Sequence, residues 1–101
     1  MSLINKNEGS VNPSNTLFLL VTCSLEESRN SITKKVTKRT VELLQSINLS
    51  HRLILFDNAS SFRDHLKYIP KVTAICQSKK NLGLWSAVNW VLLNYENILK
   101  R

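Results

Sequence analysis

The sequence predicts an α/β fold built on a mainly parallel sheet. Three observations carry that expectation: three short apolar runs rich in β-forming residues, a helical segment after each, and turn-forming polar residues where each run stops. When strands alternate with helices, each connection returns the chain to the same end of the sheet, so neighbouring strands run parallel. The complete arrangement is a Rossmann-like three-layer α/β/α domain, in which ligands meet the carboxyl ends of the strands.

Residues 1–15 are polar, include Gly9 and Pro13 among several Asn and Ser, and show no apolar period. They read as a flexible N-terminal tail ahead of an α/β half-domain over 16–101. Leu17 to Val21 is a continuous apolar run, suited to a strand buried on both faces. Ile32, Val36, Leu43 and Ile47 then fall on helical spacings with Lys34, Lys35, Lys38 and Arg39 between them. That pattern predicts an amphipathic helix over about 29–48, with Ser28 as its cap. Leu53 to Phe56 supplies the second strand and ends in Asp57, Asn58, Ala59 and Ser60, whose side chains favour turns and caps. A short helix from Ser61 to Tyr68 closes at Pro70, and Val72 to Cys76 gives the third strand. Gln77 to Lys80 is a loop. Leu84 to Leu99 is apolar almost all round, which predicts a helix packed on more than one side, with Trp85 and Trp90 in the core.

Composition narrows the function classes. The chain has 101 residues, 14 Lys plus Arg against 7 Asp plus Glu, and a formal charge of +7, so it is one small basic domain. Its only glycines are Gly9 and Gly83, which excludes the glycine-rich phosphate loops. Cys23, Cys76, His51 and His65 lack zinc-ligand spacing, and the two histidines read as surface residues. No serine or cysteine sits in a nucleophile motif, so no catalytic residue is assigned. No apolar run approaches the roughly 20 residues of a transmembrane helix. The expected location is the cytoplasm, with reduced cysteines.

The candidate site residues gather at the predicted strand ends, and each has two readings. Asp57 can accept hydrogen bonds from a nucleotide base or ribose, or it can cap the turn that follows. The first reading makes Asp57→Ala a binding variant with a nearly intact melting temperature. Gly83, after Asn81 and Leu82, can adopt a positive φ and let a ligand approach a helix N-terminus, with Lys79 and Lys80 just upstream. The same residues also make an ordinary strand-to-helix turn. Asn89, on an otherwise apolar helix, needs partners if buried. The basic stretch Lys34 to Arg39 is either the wet face of a helix or a track for nucleic-acid phosphates.

Taken together, Leu53-Ile54-Leu55-Phe56-Asp57-Asn58-Ala59-Ser60-Ser61 and Asn81-Leu82-Gly83-Leu84-Trp85-Ser86-Ala87-Val88-Asn89 resemble, in order and spacing, the two signature segments of family 2 glycosyltransferases. The resemblance covers roughly residues 16–93 and implies the nucleotide-binding part of a glycosyltransferase A fold. It gives Asp57 the nucleotide base or ribose, places Thr22 and Ser24 against the nucleotide, and sets Asn58, Asn81, Gly83 and Asn89 around the pocket. Lys80 near the diphosphate is added on charge alone. Phe62 stands where that family usually has a second acidic residue, and Val88 where it commonly has Arg.

The resemblance further implies a truncated or partial hexosyltransferase, binding a UDP-sugar or another nucleoside-diphosphate sugar for polysaccharide or glycolipid synthesis, at the cytoplasmic face of a membrane. No two aspartates are separated by one residue, so no metal is assigned to this chain, and Mg or Mn is expected only with a downstream Asp-x-Asp segment. The chain alone is expected to be inactive, and its exposed sheet edge invites self-association or a missing C-terminal half. The alternatives are a non-catalytic nucleotide-binding or protein-interaction module and, less favoured, a basic nucleic-acid-binding domain.

Overall fold

The computed structural model describes residues 16–71 and 73–100. Reading residues 1–15 as a tail, and Val72 as the start of a strand, falls outside them. Strand β1 (Phe18–Thr22) leads into helix α1 (Glu27–Ser46), strand β2 (Leu53–Asn58), strand β3 (Ala74–Ser78) and helix α2 (Leu84–Leu99). Two 3₁₀ segments, Ser50–Arg52 and Asp64–Tyr68, lie on either side of β2. The sheet has the order β1-β2-β3 with both pairs parallel, so the predicted small α/β domain with a parallel sheet is present.

Alternation along the strands sends successive side chains to opposite faces, and each face has its own core. On one face Val41 and Leu44 of α1 pack with Leu49, Leu53, Phe18, Leu20 and Ile69. On the other, Ala87, Val91 and Ile98 of α2 pack with Ile54, Phe56, Leu19, Val21, Ala74 and Cys76. The segment Asp64–Tyr68 lies against α1, so both crossovers cover one face, as a common hand of connection requires. Every residue of β2 is buried. At roughly 1.5–3 kcal/mol per fully buried aliphatic side chain, Leu53, Ile54 and Leu55 make this strand the centre of stability.

Several elements depart from the sequence pattern, each for a local reason. Strand β1 is only half-buried apart from Thr22, because it lies at the edge of the sheet rather than inside it. Helix α1 starts two residues before its predicted boundary, and its N-cap is Glu26; Ser28 lies in the first turn with its hydroxyl on Glu26 Oε2 at 3.5 Å. The face that α1 buries is Thr37, Val41 and Leu44, while Ile32, Val36, Leu43 and Ile47 are exposed. Period alone finds a stripe but cannot say which of two adjacent stripes the sheet covers. Strand β2 runs through Asp57 and Asn58, β3 is shifted to include Gln77 and Ser78, and the predicted short helix is a 3₁₀ segment.

Helix α2 has the predicted bounds but packs on one side only. Trp85 and Leu93 are 75% and 84% exposed, and Trp90 is exposed with its ring tilted against Phe56 at 5.7 Å. A sheet covers one side of a helix packed on it, and among the described residues the core on this face holds no second helix to cover the flanks of α2.

Candidate functional site

Parallel register aligns the carboxyl ends of the strands: Thr22 lies beside Asp57, Asp57 beside Gln77, and Asn58 beside Ser78. Because Asp57 and Asn58 are neighbours in one strand, they face opposite sides of the sheet. Each organises a different structure.

Asp57 faces the α1 side and is buried. Its Oδ1 accepts the Thr22 hydroxyl at 2.8 Å and the Ser60 hydroxyl at 2.6 Å, and lies 3.2 Å from His65 Nε2. Its Oδ2 accepts the Ser60 backbone N–H at 3.4 Å. His65 Nε2 is also 2.9 Å from Thr22 Oγ1, whose own proton goes to Asp57, so a proton on Nε2 serves both oxygens. Ser60 Oγ in turn accepts the Ser24 N–H at 2.7 Å, while the Ser24 carbonyl accepts the N–H groups of Ser61 and Phe62. The turn-capping role open to Asp57 is thus realised. Both carboxylate oxygens are engaged by the protein.

His65 corrects the expectation of a surface residue, since it is fully buried; His51 is exposed. The sequence signal that could have found it is its place eight residues after Asp57 in a short helical segment, but nothing in the period marks which side is covered. Ser24 Oγ, Asn30 Oδ1, Thr37 Oγ1 and His65 Nδ1 are buried without a hydrogen-bond partner, and all four sit on elements of the α1 side. Ser24 Oγ is the member that sits at a strand end.

Asn58 holds the loop between β3 and α2. Its Oδ1 accepts the Leu82 N–H at 2.8 Å, and its Nδ2 donates to Asn81 Oδ1 at 3.2 Å and to the Gly83 carbonyl at 3.4 Å. Asn81 Oδ1 also accepts the Gly83 N–H at 2.7 Å, and Asn81 Nδ2 reaches Cys23 Sγ at 3.5 Å. One strand end thereby ties the loop after β3 to the loop after β1. Gly83 has φ 80° and ψ 158°, a backbone conformation almost confined to glycine, as the sequence anticipated. Open space surrounds the position of an added Cβ, so the requirement for glycine is conformational rather than steric.

Beyond Gly83 the start of α2 has no side-chain cap and no acidic residue in its first turn, and Lys79, Lys80 and Asn81 beside it are exposed. Unsatisfied N–H groups at a helix start favour an anion. Asn89 is exposed and stands apart from the bonds that bind the loops, so its amide has no burial to compensate. The structure therefore gathers Thr22, Ser24, Asp57, Asn58, Asn81 and Gly83 at one end of the sheet.

Among the described residues no group of three or more His, Cys, Asp or Glu side chains is placed to hold a metal ion. On the rim of the α1 side, Asp64 accepts the Asn30 amide at 3.1 Å. That hydrogen bond, then Lys67, Lys34 and His65, hold its carboxyl below the ordinary value of 3.8 against the opposing effect of burial. No described helix is long and apolar enough to cross a membrane. Comparison with family models, curated proteins and solved structures finds no match to this chain.

Proposed function

We propose that this domain binds a nucleoside-diphosphate sugar at the carboxyl end of its sheet, as the donor-binding part of a glycosyltransferase with the three-layer glycosyltransferase A arrangement. The observation that carries the reading is the rim made by Asn58 and Asn81, which joins the loops after all three strands beside an uncapped helix start and two exposed lysines. Parallel α/β sheets bind ligands at this end, and a diphosphate matches a helix start free of acidic residues. The strand order supports the same reading, since α2 returns across the opposite face from α1 and leaves the outer side of β1 as the place where a further strand would join.

In this arrangement Lys80 and the start of α2 meet the diphosphate, and Asn81 borders it. Ser24 is fully buried at the end of β1, so it supports the floor of this site rather than meeting the nucleoside. Asp57 contributes by fixing Thr22 and Ser60 from beneath, because its oxygens already accept their hydrogen bonds. The reading extends to glycosyl transfer in polysaccharide or glycolipid synthesis at the cytoplasmic face of a membrane. A second reading, a protein-interaction module, draws on the exposed apolar stripe of α1.

Calorimetric titration with uridine, guanosine and thymidine diphosphates, at two salt concentrations and with and without manganese, tests the proposal. The expected result is metal-independent binding of one nucleotide that weakens severalfold in Lys80→Ala at an unchanged melting temperature. Absence of binding to all three overturns the reading for this chain. Binding of oligonucleotides that falls steeply with salt, with no nucleotide selectivity, would replace it by nucleic-acid binding.

A further inference from the structure

The apolar stripe on α1 is fully outside the core. Ile32, Val36, Leu43 and Ile47 are 61%, 48%, 63% and 52% exposed, on a helix whose buried face is Thr37, Val41 and Leu44. At 3.6 residues per turn the two faces lie about 100° apart, and the exposed one extends for about 22 Å. Exposed apolar residues gathered on one helix face, interrupted at its centre by Arg39 and Thr40, suit an interaction site. The stripe is also symmetric along the chain: Ile32 and Ile47 are equidistant from the point between Arg39 and Thr40, and so are Val36 and Leu43.

We propose that α1 pairs with α1 of a second copy of this chain, antiparallel about a two-fold axis that passes between Arg39 and Thr40. An isologous interface requires that each residue facing a partner residue be faced by it in return. Here Ile32 meets Ile47 of the second copy and Val36 meets Leu43, so the stripe is its own complement.

The charges agree with this pairing. Lys38 turns away from the stripe to lie 5.8 Å from the Tyr68 ring centre, and Lys34 acts on Asp64, so both serve the opposite flank of the helix. On the flank nearer the stripe are Lys35, Arg39 and Glu42. Antiparallel pairing sets Glu42 of each copy beside Lys35 and Arg39 of the other, whereas among the described residues Glu42 has no ion-pair partner in its own chain. The two Arg39 side chains approach near the axis, and the two Glu42 carboxylates offset them.

The edge of the sheet beside the stripe is also open. Leu20, the middle residue of β1, packs against the cluster of Val41, Leu44, Leu49 and Leu53, and a cleft of about 210 Å³ between Leu20 to Cys23 and Ile32, Thr33, Val36 and Thr37 reaches the N-terminal half of the stripe. Among the described residues the outer edge of β1 is unpaired, and Phe18–Thr22 contains no proline or charge to discourage strand addition.

Sedimentation velocity between about 1 and 100 µM, the range that populates a modest interface, reads the association. The wild-type chain is expected to dimerise, and Val36→Asp and Leu43→Lys, both at exposed positions, are each expected to be monomeric with wild-type circular dichroism. Mixing the two variants is expected to restore a dimer, because the carboxylate introduced in one chain then faces the ammonium introduced in the other. A wild-type monomer throughout the range, a dimer that survives either substitution, or a mixture that stays monomeric overturns the proposal. Nucleotide binding plays no part in this experiment, so its outcome is separate from that of the donor-site reading.

Discussion

Asp57 and Asn58 are adjacent, both are buried, and they end the same strand, yet they build opposite kinds of structure. The Asp57 side is closed: its carboxylate is encircled by Thr22, Ser60 and His65. The Asn58 side is open: its amide holds a loop whose outer residues, Lys80, Asn81 and Gly83, remain exposed. The difference teaches that a polar residue at a strand end is recruited by whatever the connection beyond it supplies. The connection after β2 returns a hydroxyl and an imidazole to Asp57. The connection after β3 brings mainly backbone groups and another amide to Asn58.

Asp57→Ala breaks the closed side and carries the largest expected effect. It strands the Thr22 and Ser60 hydroxyls and the Ser60 N–H, while His65 keeps Thr22 Oγ1, so the loss is about 3–5 kcal/mol, and the melting temperature should fall by more than about 10 °C. The sequence-based expectation of a nearly intact melting temperature is corrected by this burial. A thermal melt that moved by only a degree or two would show that the network contributes little.

Asn58→Ala breaks the open side and is expected to cost about 1–3 kcal/mol, since the groups it releases can reach water. Its signature is local: hydrogen exchange should accelerate at Leu82 and Gly83 while Leu55 keeps the protection of the globally folded state. Uniform acceleration would mean that the loop clamp and the sheet are one cooperative unit.

The smallest effect belongs to the rim, at Asp64. Its carboxyl is held below 3.8 chiefly by the Asn30 amide, so the folded state binds the proton less readily than the unfolded chain. That stabilisation is present above the unfolded value and is lost as pH falls through the lower folded value. In Asn30→Ala the Asp64 titration, followed by NMR, should move up toward 3.8, and the stability difference from wild type should shrink on acidification below that value. A difference that grew instead would reverse the sign of the coupling.

Much of the fold was legible because burial and period are local properties of the chain. The run Leu53-Ile54-Leu55-Phe56 read as a strand, and Gly83 marked a turn able to take a positive φ. The candidate site was legible as a set of positions, not as a set of roles. Asp57 looked free to read a ligand because its partners Thr22 and His65 are distant in sequence, and the stripe Ile32 to Ile47 looked like core because its period is that of any amphipathic helix. The Trp residues of α2 were assigned to a core, but among the described residues α2 stands alone on its face of the sheet and no second helix covers them.

The sequence by itself determined the order of strands and helices, the parallel sense of the sheet and the end at which polar residues collect, since these follow from apolar period, turn chemistry and chain connectivity. Only the tertiary structure decided which face of α1 is covered, which histidine is buried and whether the Asp57 oxygens are free. Those depend on what lies across a gap of tens of residues, and burial there is settled by the whole packed sheet rather than by any local stretch of chain.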